Sequence, residues 1–197
     1  MQQIVLLDTD TMAGADLSVL QIEGTQLRCY PTTSAAEVSK RIHNASIVIS
    51  NKVVLNAAIL AAAPQLRLIC IAATGTNNVD LAAATAQGIQ VCNVQDYALG
   101  AVPQHAMALL LALNNQIWQQ QQAVLSGKWS QSPVFCLHQQ PVQSLQGKIF
   151  TVAGYGGLGQ ATAQLAKAFG MQICLAERPD ASTIRPGRVA FREALAK

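Results

Sequence analysis

Charge is scarce in this sequence. Charged residues make up 12% of the 197, hydrophobic residues 51%, and the mean hydropathy is +0.26. Disorder requires the opposite balance, so a folded chain with a sizeable core is expected. Thirteen Lys+Arg against ten Asp+Glu leave a net charge of +3. The basic residues form no run or stripe, which argues against a nucleic-acid partner. Long hydrophobic runs are missing too. The longest, Ala106 to Leu113, falls far short of the ~18 residues of a spanning helix. The opening stretch Ile4 to Leu7 closes on Asp8 and is too short for a signal peptide. No membrane partner is expected. Cysteine is sparse and scattered: Cys29, Cys70, Cys92, Cys136 and Cys174, odd in number and widely spaced. This pattern predicts buried thiols in a reducing cytoplasm and no metal site.

Strand-like and helix-like segments alternate along the chain. Short apolar runs at Gln3–Leu7, Leu27–Tyr30, Ser46–Ser50, Leu66–Ala72 and Gln90–Val94 read as five strands. Between them, Ser34 and Glu37 form a capping-box pattern, Asn56–Pro64 is alanine-rich, and Asp80 stands where it would cap a helix ending before Gly88. Continuous apolar runs with helices between them predict an α/β fold with a doubly wound parallel sheet buried on both faces. A turn-rich boundary at Gln95–Gly100 divides the chain into residues 1–99 and 100–197. The second part opens with one long helix from Ala101 to about Ser126, its apolar face carried by Ala106, Leu109, Leu110 and Leu113. A strand at Lys148–Ala153, a helix at Leu158–Phe169 and a strand at Gln172–Ala176 follow, with the start of a further helix at Ala190–Ala196.

Gly154-Tyr155-Gly156-Gly157-Leu158-Gly159 is a G-x-G-x-x-G between that strand and that helix. Glu177 lies 18 residues beyond Gly159, near the spacing of a ribose-binding acid. The first glycine permits the tight turn, the second lets a pyrophosphate approach, and the third lets helix and strand pack closely. The amides of Gly157 and Leu158 would hold a diphosphate at the helix N-terminus. Gly154, Gly156, Gly157, Leu158, Gly159 and Glu177 are therefore the candidate cofactor residues. A carboxylate at position 177 favours NAD over NADP, although Arg178 could serve a 2′-phosphate. The Arg185-Pro186-Gly187-Arg188 stretch reads as a surface loop. None of His43, His105 and His138 has an acidic partner at a telling spacing, so none is assigned as a catalytic acid.

Several of these segments resemble the D-isomer-specific 2-hydroxyacid dehydrogenases, most closely the glycerate dehydrogenase (hydroxypyruvate reductase) branch. They are Ser50-Asn51-Lys52-Val53, Ala73 through Asp80, Val102-Pro103-Gln104-His105, the glycine turn, and Ala176-Glu177-Arg178 with Arg185 through Arg188. The resemblance implies a flavodoxin-like substrate lobe followed by the start of a Rossmann NAD-binding domain. It also implies a small 2-hydroxy or 2-keto acid substrate and a homodimer at full length. Thr74 and Gly75 would bind the substrate through backbone amides. Lys52, also after a strand, is a further candidate, although a solvated lysine is the simpler reading. The family's catalytic arginine, glutamate and histidine have no matching positions here, so the chain reads as truncated within the cofactor domain and no catalytic residue is assigned. The alternative is an inactive nucleotide-binding or interaction remnant.

Overall fold

A computed structural model describes residues 1–12, 14–137 and 142–196. The chain divides into two compact units, Met1–Tyr97 and Ala98–Lys197.

The first unit holds strands β1 (Gln2–Leu6), β2 (Thr25–Cys29), β3 (Ile47–Ser50), β4 (Leu68–Ile71) and β5 (Gln90–Asn93). They form one parallel sheet in the order β2-β1-β3-β4-β5. That is the flavodoxin-like doubly wound order. Helices α1 (Ala35–Ile42), α2 (Ala57–Ala61) and α3 (Leu81–Ala86) make three of the crossovers, while two short 3-10 turns occupy the β1–β2 connection. The two expected caps, at Ser34 and Asp80, are formed, and Asn56 adds a third. Glu37 accepts from the Ser34 N–H at 3.0 Å, Asn56 Oδ1 from the Ile59 N–H at 3.0 Å, and Asp80 Oδ1 from the Ala83 N–H at 2.9 Å. Each such cap contributes about 1 kcal/mol.

Register explains the core. Val5, Val48, Ile69 and Val91 pair in one row across four strands. The first three are fully buried and Val91 packs against them. Each fully buried aliphatic side chain contributes about 1.5–3 kcal/mol. Burial on both faces holds for strand β1 only, between β2 and β3, from Gln3 to Leu6. Along β3 and β4 every second residue is only half-buried.

The second unit departs from expectation in its first helix. Two helices, α4 (Ala101–Asn114) and α5 (Ile117–Leu125), stand where one was expected. Gln116 breaks the run with a φ of +52°. At the break the Asn115 side chain donates to the Leu111 carbonyl at 3.1 Å, so a side-chain amide competes for a helical acceptor. The apolar face is corrected as well. Pro103, Met107 and Leu110 form the inward stripe, whereas Leu109 and Leu113 are exposed. Pro103 sits in the first turn, where its missing N–H costs nothing.

Behind these helices, β6 (Ile149–Ala153), α6 (Gly157–Ala168) and β7 (Gln172–Ala176) form a parallel β–α–β unit. Its core is Met107, Ala166 and Met171, with Leu145, Phe150 and Ile173 against them. Helix α7 (Phe191–Leu195) ends the described fold. The cysteines also differ from expectation. Cys29 and Cys92 are exposed, and Cys70, Cys136 and Cys174 are half-buried. Cys29 and Cys92 lie on the outermost strands of the sheet, where side chains have fewer neighbours. No described helix is long and apolar enough to cross a membrane.

Candidate active site

In the second unit the chain turns sharply between β6 and α6. Gly154 has a φ of +95°, which a side chain would strain. Gly156 caps α6 in extended conformation, with φ −82° and ψ −167°. A Cβ on Gly156 would meet nothing within 4 Å, so that side of the turn is open. A Cβ on Gly159 would overlap the carbonyl oxygen of Gly154 and come within 3.2 Å of Val152 Cγ1. The two glycines thus face opposite surroundings. The first-turn amides of α6, which include Gly157 and Leu158, have no partner within the helix.

Glu177 directly follows β7 and is 3% exposed. Its Oε1 accepts from the Arg178 N–H at 2.9 Å and Arg185 Nη2 at 2.5 Å. Its Oε2 accepts from the Arg185 N–H at 3.2 Å and Arg185 Nε at 2.8 Å. Arg188 Nε stands 4.0 Å from Oε2, and Arg188 Nη1 donates to the Ala176 carbonyl at 3.2 Å. The 185–188 stretch is therefore not a plain surface loop, because a buried carboxylate needs a counterion and this loop supplies it. Beside Glu177 is a cavity of about 660 Å³, with Arg178, Ser182, Ile184, Phe191 and Arg192 among its lining.

Hydrogen bonds from the Arg185 side chain and from the Arg178 backbone hold the Glu177 carboxyl well below the usual carboxylate range. A depressed folded value contributes stability above the unfolded value and loses it as pH falls. The melting temperature should therefore drop as pH goes below about 4.5, the unperturbed value. Glu177→Gln should flatten that part of the curve. Thermal melts of both proteins from pH 7 to pH 3 check this, and parallel curves would refute it.

In the first unit the candidate substrate residues lie at the carboxyl ends of β3 and β4. Thr74 and Gly75 are exposed, and their N–H groups bond to no other described residue. The Thr74 carbonyl accepts from Asn93 Nδ2 at 2.7 Å, which anchors the turn to the end of β5. The segments following β3 and β4 are stitched together. The Leu55 N–H donates to the Asn78 carbonyl at 2.7 Å, and Asn78 Nδ2 donates to the Val53 carbonyl at 3.0 Å. Lys52 is exposed at the same end of the sheet.

Sequence reasoning missed Asp8. Its buried carboxylate, just past β1, accepts from the N–H groups of Asn51 at 3.0 Å and Lys52 at 2.8 Å, and from Ser50 Oγ at 3.3 Å. It fixes the loop that carries Lys52. An acid closing a buried strand, beside a Ser-Asn turn closing the adjacent one, was the available signal. A cavity of about 420 Å³ opens there, between β1 and β3, where this strand order reverses direction. The histidines stay unassigned. His43 is exposed and its Nδ1 lies 2.9 Å from the Ala62 carbonyl oxygen. His105 is exposed on α4. His138 lies outside the described residues.

A glycine turn opening an α-helix, with a buried acid after the next strand, is the arrangement of the α/β dehydrogenase class. Within that class, the chain belongs to the D-isomer specific 2-hydroxyacid dehydrogenase family, whose catalytic domain it matches over residues 4–184. It is 40% identical over 174 residues to a glycerate dehydrogenase of Methylorubrum extorquens, covering 87% of this chain and 54% of that one. It is 35% identical over 175 residues to a hydroxypyruvate reductase of Blautia hydrogenotrophica, with the same coverage, 87% and 54%. Among solved structures it resembles an NADPH-dependent glyoxylate/hydroxypyruvate reductase of Sinorhizobium meliloti, with a TM-score of 0.71 and 25% identity over 96% of this chain and 57% of that one. The chain spans about half the length of the curated relatives it matches. The family is NAD(P)-dependent.

Proposed function

We propose that this chain supplies the substrate-binding residues and the diphosphate-binding turn of a cytoplasmic oxidoreductase acting on a small 2-hydroxy or 2-keto acid of the glycerate/hydroxypyruvate kind. The observation that carries this reading is the contrast within the glycine turn. The Gly156 side is open beside the α6 N-terminus, while the Gly159 side is closed by backbone. That is the shape a diphosphate requires. The residues present fit a nicotinamide dinucleotide, with amides at Gly157 and Leu158 for its diphosphate and Glu177 for its adenosine ribose. Taken by itself, a carboxylate at Glu177 favours NAD, since it repels a 2′-phosphate. When bound, the cofactor supplies or accepts the hydride. The unbonded amides of Thr74 and Gly75 hold the substrate carboxylate, as successive N–H groups in a turn hold anions. Lys52 adds a positive charge at the same end of the sheet. The exposed thiols of Cys29 and Cys92 suit a reducing compartment.

The test is fluorescence titration of the purified chain with NADH, repeated in the presence of hydroxypyruvate. Saturable binding with a dissociation constant below ~1 mM is expected, equivalent to about 4 kcal/mol. No saturation up to that concentration would overturn the cofactor assignment.

A further inference from the structure

The Glu177 carboxylate is already full. A carboxylate offers about four lone-pair sites. Two backbone N–H groups, of Arg178 and Arg185, fill one on each oxygen. The guanidinium of Arg185 fills the other two, Nη2 on Oε1 and Nε on Oε2. A ribose diol has two hydroxyls, and it would need those same two sites. The backbone donors are fixed by the fold, but the Arg185 side chain is 55% exposed and can leave into solvent. Arg188, only 15% exposed and tied to the Ala176 carbonyl, cannot leave so readily and keeps a positive charge near the acid.

Resting on the dinucleotide reading above, we propose that Arg185 is a removable counterion of Glu177 and the specificity-determining residue of the adenosine subsite. Its guanidinium and a ribose diol are alternative bidentate donors to the same two oxygens. When Arg185 moves off, the acid is open to the 2′- and 3′-hydroxyls. When the ribose carries a 2′-phosphate, the displaced guanidinium is beside it and can pair with it bidentately. Arg178 and Arg192 line the adjoining cavity and add to the positive field. Glu177 therefore discriminates against a 2′-phosphate less than a lone carboxylate would, and the subsite takes both forms of the cofactor.

The experiment is fluorescence titration of the wild-type chain and of Arg185→Ala, Arg185→Lys and Glu177→Gln with NADH and with NADPH, alongside thermal melts. In the wild type the two dissociation constants should agree within about 10-fold, because Arg185 offsets the acid's repulsion. Arg185→Ala should weaken NADPH binding at least ~10-fold, while NADH binding is kept or tightened, because the competitor for the carboxylate is gone. Arg185→Lys should recover part of the NADPH affinity, because it keeps the charge but not the fork. If Arg185→Ala proves too unstable to titrate, Glu177→Gln decides. It should shift the ratio toward NADPH, and an unchanged ratio overturns the proposal. Equal loss of both ligands in a folded Arg185→Ala would make Arg185 a prop for the loop and overturn the proposal while leaving the dinucleotide reading intact. No change for either ligand would also overturn it. A wild type that binds neither ligand would defeat the dinucleotide reading itself.

Discussion

Gly156→Val is expected to abolish NADH binding and leave the fold intact. Gly156 has φ −82° and ψ −167°, a backbone conformation open to any L residue. A Cβ there meets no atom within 4 Å, so the valine clashes with nothing in the protein. Its methyl groups occupy the space in front of the first amides of α6, where the diphosphate would sit. Affinity should fall at least ~100-fold, while stability should change by no more than about 0.5 kcal/mol, as for an ordinary exposed substitution. The check is an NADH titration beside a thermal melt. Retained affinity would remove the turn from the cofactor site. Lost affinity with a lowered melt would mean that the residue serves folding instead.

Much of this arrangement was legible because it rests on local chemistry. Apolar runs of four to seven residues closed by polar turns gave five strands in the first unit, and helical segments between them required parallel pairing. Ser34 and Asp80 were readable as caps because a cap depends on neighbours within three residues. The glycine turn was readable for the same reason.

What escaped depends on contacts distant in sequence. Asp8 meets Ser50, Asn51 and Lys52 only because β1 and β3 are adjacent in the sheet. Arg185 meets Glu177 only because Val189 bridges to the end of β7 and folds the intervening loop back. The break at Gln116 follows a side-chain hydrogen bond that hydrophobic spacing does not encode. Leu109 and Leu113 share the spacing of an apolar face, but the stripe that packs inward is Pro103, Met107 and Leu110. Periodicity alone does not say which of two apolar stripes is covered.

Gly159→Ala should do the reverse of Gly156→Val, by damaging the fold rather than only the site. A glycine within a helix would ordinarily gain about 0.5–1 kcal/mol on becoming alanine. Gly159 lies in the first turn of α6, so the ordinary expectation is a small stabilisation. The structure reverses that sign. The added Cβ overlaps the Gly154 carbonyl oxygen and lies 3.1 Å from its carbonyl carbon and 3.2 Å from Val152 Cγ1. Two of these three atoms are backbone, and Gly154 already holds a φ of +95°, so the turn has little freedom to yield. Either α6 moves away from β6 or the turn opens. Overpacking of this kind costs about 1–3 kcal/mol, and a backbone obstacle places this case at ~3 kcal/mol or above. For a unit of this size that is about 10–20 °C in melting temperature. The first unit has its own sheet and core, so its protection from hydrogen exchange should be unchanged while that of β6, α6 and β7 falls. A melting temperature that stays level or rises would show that α6 and β6 do not approach as closely as the glycine turn requires.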